Sequence, residues 1–284
     1  MRKRLALVIV LVWSSLGVNA LASEGLPLWY FRHPRFENFG DLLSLKVVER
    51  IVDQPVEVYQ RKPSGNIPKL LAVGSILHIA ADGDVIWGSG VNGKDLAKKK
   101  YTFSNVDVRA VRGPLTRQFL KRELGIDAPE VYGDPVLLMP YLFPEFQRSD
   151  NPSYPYLIVV HYADVDKFPK EDFPNAVYAW EPWDEIVAKI LDSEFVVSTS
   201  LHGVIVAEAY GIPARLLRLD NSEPMLKFTD YFMGTGRPNY RYATSLEEAL
   251  MMGGEEPAQC DLEKLYDAFP FEHWPNVTKR EIQF

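Results

Sequence analysis

The residues able to do chemistry stand in short polar turns between apolar runs. Ser198-Thr199-Ser200-Leu201-His202 sets three hydroxyls ahead of an imidazole. An imidazole changes charge near physiological pH and serves as a general acid or base. Arg112, in Val111-Arg112-Gly113-Pro114, offers a planar fork for a phosphate or carboxylate, a task lysine does poorly; its other reading is a surface ion pair beside a Gly-Pro turn. Asn38-Phe39-Gly40-Asp41 supplies an amide and a carboxylate. Asp41 either takes a proton from a hydroxyl or caps a helix. Gly88-Ser89-Gly90 and Gly133-Asp134-Pro135 allow tight turns or close approach of backbone to a ligand, with Asp134 a candidate for orienting the site. Ser198 and Ser200 either cap a helix or bind phosphate. His161, Arg117 and Arg237 complete the set, Arg117 being equally readable as solvated or structural.

These turns need elements to hold them. Phe195–Val197 is a short buried strand, and the segment from Val204 to Tyr210 has helical spacing, ended by Gly211 with Pro213 beyond. A strand, turn and helix are thus compressed around His202, and the first amides of such a helix favour an anion. Further strands are expected at Pro27–Phe31, Val56–Tyr59, Leu70–Gly74, Asp84–Trp87, Val106–Val111, Glu130–Tyr132, Tyr156–Val160, Ala176–Tyr178 and Ala214–Leu217. Helices are expected from Gly40 to Val52, Leu115 to Leu124, Trp183 to Leu191, Leu226 to Met233, Ser245 to Met252 and Leu262 to Phe269. The strands are apolar on both faces, as parallel strands covered by helices must be. The expectation is an α/β fold with two Rossmann-like doubly wound domains facing across a cleft. Each polar turn falls where such sheets bind ligands, outside the carboxyl ends of strands. Prolines 140, 144, 152 and 155 mark the boundary, which divides the chain into 25–145, 153–240 and a C-terminal helical segment, 241–284. Trp87 and Trp180 are read as aromatic core, with stacking on a sugar ring the alternative. Asp82-Gly83-Asp84 reads as a turn.

The composition of the 284 residues, 47% hydrophobic and 24% charged, is that of an ordinary globular chain. A net charge of −7 argues against a broad nucleic-acid surface. Cys260 is the single cysteine, which excludes intramolecular disulfides and cysteine-based zinc sites. No cluster of His with Asp or Glu has ligand spacing, so no metal and no cofactor are expected. Arg2-Lys3-Arg4, the apolar run Leu5–Val12 and Ala20-Leu21-Ala22 give residues 1–22 the pattern of a cleaved signal peptide or an N-terminal anchor. Either points to a periplasmic or lumenal domain, with a cytoplasmic, membrane-surface association as the alternative.

Taken together, NFGD at Asn38–Asp41, VIWGSG at Val85–Gly90, VRGPLTR at Val111–Arg117, GDPVLLMP at Gly133–Pro140 and SLHGVIVAEAYGIP at Ser200–Pro213 resemble the polysaccharide pyruvyl transferase family. KFTDYFMGTGR at Lys227–Arg237 is similar to its bacterial exopolysaccharide branch. The resemblance implies a fold similar to the GT-B glycosyltransferases. It also implies transfer of the enolpyruvyl unit of phosphoenolpyruvate to two hydroxyls of a glycan or lipid-linked oligosaccharide, forming a pyruvate ketal. His202 then matches the family's catalytic histidine, and Arg112 an arginine that binds the donor. Many members carry an arginine where this chain has Ser200, so the missing anion contact falls to Arg112, Arg117 or Arg237. Two rival readings remain: a nucleotide-sugar glycosyltransferase on the same frame, and a non-catalytic glycan-binding relative.

Overall fold

Short leucine- and valine-rich runs build two wholly parallel sheets. In the first, β1 (Pro27–Leu28), β2 (Glu57–Val58), β3 (Leu70–Leu71), β4 (Val85–Trp87) and β5 (Asp107–Ala110) stand in the order β2-β1-β3-β4-β5. In the second, β6 (Leu157–Val160), β7 (Ala176–Tyr178), β8 (Val196–Ser198) and β9 (Ala214–Leu216) stand in the order β7-β6-β8-β9. The computed structural model describes residues 25–59, 67–94, 96–221 and 223–284; the signal peptide or anchor expected at residues 1–22 lies outside them. Among the described residues no helix is long and apolar enough to cross a membrane.

Parallel neighbours cannot be joined by tight turns, so helices fill the crossovers. The crossover helices are α1 (Phe39–Val52), α4 (Trp183–Leu191) and α5 (Leu201–Ala209); α2 (Pro114–Phe119) and α3 (Met139–Leu142) lie between the two sheets, and α6 (Leu226–Gly234), α7 (Leu246–Met252) and α8 (Leu262–Asp267) follow the last strand. In α4 the spacing of Ile186, Val187, Ile190 and Leu191 makes one apolar face, and all four are buried. Helix α5 differs: Leu201 and Gly203 to Ala207 are all buried, so it runs through the interior. Burying a valine or isoleucine there contributes about 1.5–3 kcal/mol, and a charge at Val204 or Ile205 would be left in the core.

The strands expected from sequence are present, most of them shorter, with Ala176–Tyr178 found in full. Pro27–Phe31 pairs only over Pro27–Leu28, and Glu130–Tyr132 is reduced to one bridge between Val111 and Tyr132. The helix expected to run from Leu115 to Leu124 begins at Pro114 and loosens into a π turn at Leu120–Leu124. Asp82-Gly83-Asp84 is a turn, with the buried Asp84 paired to Lys69. The core does not divide where the prolines stand: one apolar cluster runs from Leu28 and Leu43 through Leu138 to Val159 and Val206. Residues after 241 serve both sheets. Ala243 bridges to Leu217 beside β9, whereas Leu265 accepts a hydrogen bond from Trp87 Nε1 (2.8 Å) at the first sheet. Trp87 is thus core, as expected.

Candidate active site

Each sheet has one point where its strand order reverses, and both points open on the same cavity. In the first sheet the reversal falls between β1 and β3, and Trp29, Phe31 and Gly74–Ile76 follow those strands into the cavity wall. In the second it falls between β6 and β8, and His161, Tyr162 and Ser200–His202 form the opposite wall. This is where doubly wound sheets bind ligands. The cavity holds about 400 Å³, enough for a small metabolite and part of a second ligand.

His202 sits in the first turn of α5. Its Nε2 lies 3.8 Å from Asp134 Oδ2, and neither atom has a hydrogen-bond partner although both are buried. That distance is too long for a hydrogen bond. It is short enough for the pair to close when His202 takes a proton. Asp134 is fixed by its other oxygen, which accepts from the Val136 amide (3.1 Å). The ring packs directly on Gly40, whose Cα leaves no room for a Cβ. That close approach gives the glycine of the Asn38–Asp41 turn its purpose. Ser200 is the N-cap of α5 but makes no side-chain cap bond. Its amide is held instead by Ser198 Oγ (3.0 Å). The helix end therefore meets the cavity without a capping side chain.

Asp41 opposes His202 across α1. Asn38, not Asp41, caps α1, accepting from the Asp41 amide (3.2 Å). The Asp41 carboxyl is thus left for other work. Burial raises it to about 6, against the pull of His202 and Lys227. His161 is driven the other way, to about 4, chiefly by burial and then by Lys227. It is neutral at neutral pH. Its Nδ1 accepts from the Ala163 amide (3.3 Å), which leaves Nε2 as the protonated nitrogen and a donor.

The cations on the wall are lysines, not arginines. Lys94 and Lys227 grip Glu223 at 2.6 and 2.7 Å. Burial pushes Glu223 up, but the two lysines outweigh it and hold the carboxyl at about 2. Burial lowers Lys227, with Glu223 opposing. These three residues were not picked out from sequence. The signal was present: Lys94 lies just past Gly90, and Lys227 begins the KFTDYFMGTGR run.

Of the predicted residues, Asn38, Asp41, His161, Ser200 and His202 line the cavity, and Asp134 stands behind His202. The others lie elsewhere. Arg112 is buried one layer back, donating to Ser75 Oγ (2.6 Å) and Val91 O (2.8 Å) and pairing with Asp230 (3.3 Å). It packs under Gly90, which has no room for a side chain. Arg117 binds Ala128 O and Glu130 on another face. Arg237 is buried against Glu208 and stacks on Phe232. Gly88 packs on Pro135, Ser89 bonds Gly74 O (3.0 Å), and Ser198 bonds Val159 O (3.0 Å). These are internal ties, and none of the seven, Gly90 included, reaches the cavity wall. No arginine among the described residues replaces the one absent at Ser200. Trp180 is also displaced from expectation: it is 43% exposed, not core. Among the described residues no group of three His, Cys, Asp or Glu is placed to hold a metal ion.

A cleft between the carboxyl edges of two parallel sheets, with His202 and Asp134 meeting at a helix N-terminus, defines an α/β protein of Rossmann-like build with a candidate ligand site. The family model for polysaccharide pyruvyl transferase matches residues 38–221, and the chain belongs to that family. It is 28% identical over 240 residues to the succinoglycan biosynthesis protein ExoV of Rhizobium meliloti, covering 79% of this chain and 71% of that one. An uncharacterized protein, L143, of Acanthamoeba polyphaga mimivirus is 28% identical over 228 residues, covering 76% of this chain and 78% of its own. A crystal structure of an uncharacterized protein from Klebsiella pneumoniae matches with a TM-score of 0.50 and 13% identity, over 78% of this chain and 94% of that one. That last likeness concerns fold alone.

Proposed function

We propose that the chain forms a pyruvate ketal on a glycan or lipid-linked oligosaccharide, using phosphoenolpyruvate as donor, on a two-domain frame of GT-B type. The observation that carries this is the open His202–Asp134 pair at the uncapped N-terminus of α5, facing Asp41 in a cavity walled by two lysines. The donor's phosphate and carboxylate match the α5 amides, Lys94 and Lys227. One acceptor hydroxyl attacks C2 of the enol as His202 delivers a proton to the methylene carbon, and Asp41 takes the hydroxyl proton. A second hydroxyl then displaces phosphate at the same carbon, its proton leaving with the phosphate. Two C–O bonds form, the C–O bond to phosphate breaks, and nothing is oxidised. Asp134 steadies the imidazolium while it holds the proton. His161, neutral, offers an N–H to a ligand oxygen. No cofactor enters this scheme.

Purified protein incubated with phosphoenolpyruvate and an array of exopolysaccharide fragments should release phosphate and add a pyruvyl mass to one fragment. Saturable binding of a nucleotide sugar, with none of phosphoenolpyruvate, would overturn the reading in favour of a glycosyltransferase. The leader at residues 1–22 fits delivery to a membrane face. N-terminal sequencing of the purified protein, with cell fractionation, tests that address.

A further inference from the structure

The cavity does not end at Asp41. It shares Phe31 and Asn38 with a second hollow of about 210 Å³, and that hollow shares Phe36 and Glu37 with a third of about 440 Å³ that ends at Trp180 and Trp183. The three hollows thus adjoin one another through shared walls, in a row that leads away from His202. Its floor is aromatic. His33 stacks on Phe36 with centroids 4.0 Å apart, Phe36 meets Trp180 edge to face at 5.9 Å, and Trp180 lies flat on Tyr178 at 5.0 Å.

Two of these rings are costly to expose. Phe31 is 41% and Trp180 43% exposed, where most large rings of the chain are buried. Nor is Trp180 loose. Its turn is pinned by Glu181, which accepts from the Tyr178 amide (3.0 Å) and pairs with Lys189 (2.9 Å). The same turn is tied to the first domain, where the Phe39 amide donates to Ala179 O (2.6 Å). A wide apolar ring held rigidly in water marks a binding surface. The groove is half ring and half polar edge, with Arg32, Glu37 and Asn38 beside Phe31 and Phe36. A pyranose has the same make-up: a face of weakly positive C–H bonds that suits an aromatic face, and a rim of hydroxyls.

We propose that this groove binds the sugar units of the acceptor that flank the reacting one, with Trp180 and Phe31 as stacking platforms. The idea rests on the pyruvyl transfer reading for the direction of the chain, with the reacting sugar at His202. It assigns to the protein a preference for extended oligosaccharides over single sugars.

The test uses the full chain and two variants, Trp180→Ala and Trp180→Phe, with thermal unfolding to show that both fold. Probes are an array of exopolysaccharide fragments of one to eight sugars, phosphoenolpyruvate, and vesicles of phosphatidylethanolamine and phosphatidylglycerol. Titration calorimetry should show fragments of four or more sugars binding the wild type. Affinity should fall about tenfold in Trp180→Ala and recover partly in Trp180→Phe, with phosphoenolpyruvate affinity and single-sugar KM unchanged. Equal affinity in wild type and Trp180→Ala, no binding of any fragment, or Trp180-dependent capture of vesicles in place of glycans would overturn the proposal. Trp180-dependent glycan binding without phosphoenolpyruvate binding would leave the groove standing and overturn the transfer reading instead.

Discussion

Two carboxylates are buried at the junction of the sheets, each beside a cation-forming side chain from another element. Asp230 of α6 is saturated. It accepts from the Leu115 and Thr116 amides (2.9 and 3.0 Å) and Thr116 Oγ1 (2.7 Å), and it pairs with Arg112 (3.3 Å). It thereby caps α2 from the opposite domain. Asp134 is the reverse: one oxygen is tied down, the other stands unpaired 3.8 Å from an unpaired His202 nitrogen. Buried polar atoms are ordinarily satisfied. Arg112 spends both terminal nitrogens on Ser75, Val91 and Asp230 and keeps only its Nε without a partner, on the layer behind the cavity, so Arg112–Asp230 reads as a joint. A pair held apart with its bonds unmade still has atoms to offer, so His202–Asp134 is the candidate site. Motif position alone did not tell them apart, since both Arg112 and His202 stand in matching motifs.

The comparison breaks first at His202. His202→Ala should lower transfer by about 10²- to 10⁴-fold while leaving the unfolding midpoint near that of the wild type, read by phosphate release and urea titration. Undiminished activity would remove His202 from the chemistry. Asp230→Ala should do the opposite. It strips the cap of α2 and leaves Arg112 charged and buried, at a cost of about 3–5 kcal/mol in unfolding free energy. The turnover of whatever remains folded should be unchanged. A fall in turnover larger than the fall in folded fraction would show that the joint is part of the site.

Asp41 sharpens the contrast through pH. Its carboxyl stands at about 6 in the fold against an ordinary value of 3.8. The folded chain therefore holds a proton that the unfolded chain releases between those two values. Stability from this group is intact below 3.8 and is lost as pH rises through about 6. At pH 7 the loss approaches about 3 kcal/mol, at 1.36 kcal/mol per unit. Asp41→Asn should thus stabilise the protein by up to about 3 kcal/mol at pH 7 and by nothing near pH 4, measured by urea unfolding at both. It should also abolish the rise in kcat/KM through about pH 6 that an ionising base gives the wild type. A variant no more stable at pH 7 would mean that the carboxylate is well solvated and unfit for this role.

How much of this was legible in the chain follows from the range of the interactions involved. Helix α4 was read to its end residues because its apolar spacing is a property of adjacent turns. The turns holding His161, Ser200 and His202 are legible as cleft positions because each follows a strand directly, and that of Asn38 and Asp41 because a polar loop runs from the first strand into α1. What was misread depends on partners far along the chain. Arg112 looks like an anion clamp until Asp230 is beside it. Glu223 stands only four residues before Lys227, but it gains Lys94 only once Pro224 and Leu226 pack on Gly93. Trp180 passes for core because a turn fixed by Glu181 and Ala179 has no local mark of exposure. The apolar segment from Met139 to Phe143 lies in the same core as both sheets, so the proline-rich composition there marked a change of sheet without marking a change of core.

The smallest effect tests whether the lysines belong with the joint or with the site. Glu223 holds Lys94 and Lys227 at 2.6 and 2.7 Å, in the cavity where the proposed donor, with its phosphate and carboxylate, would look for cations. If the trio resembles Arg112–Asp230, Glu223 positions the lysines, and Glu223→Gln scatters them and weakens phosphoenolpyruvate. If it resembles His202–Asp134, Glu223 occupies the anion's place and the donor must displace it. The second fits better, because the three side chains line the cavity and Lys94 is half exposed, at 52%. The Lys94 pair, so open to water, contributes little to stability, whereas the Lys227 pair is enclosed, at 14% and 16% exposure, so the cost of breaking the trio falls on Lys227. Glu223→Gln should therefore bind phosphoenolpyruvate about three- to tenfold more tightly, with the gain fading as salt screens the freed charge. Calorimetry at low and high ionic strength reads both. Weaker binding at low salt would place the lysines with the structural joint, leaving the α5 amides as the donor's principal contact.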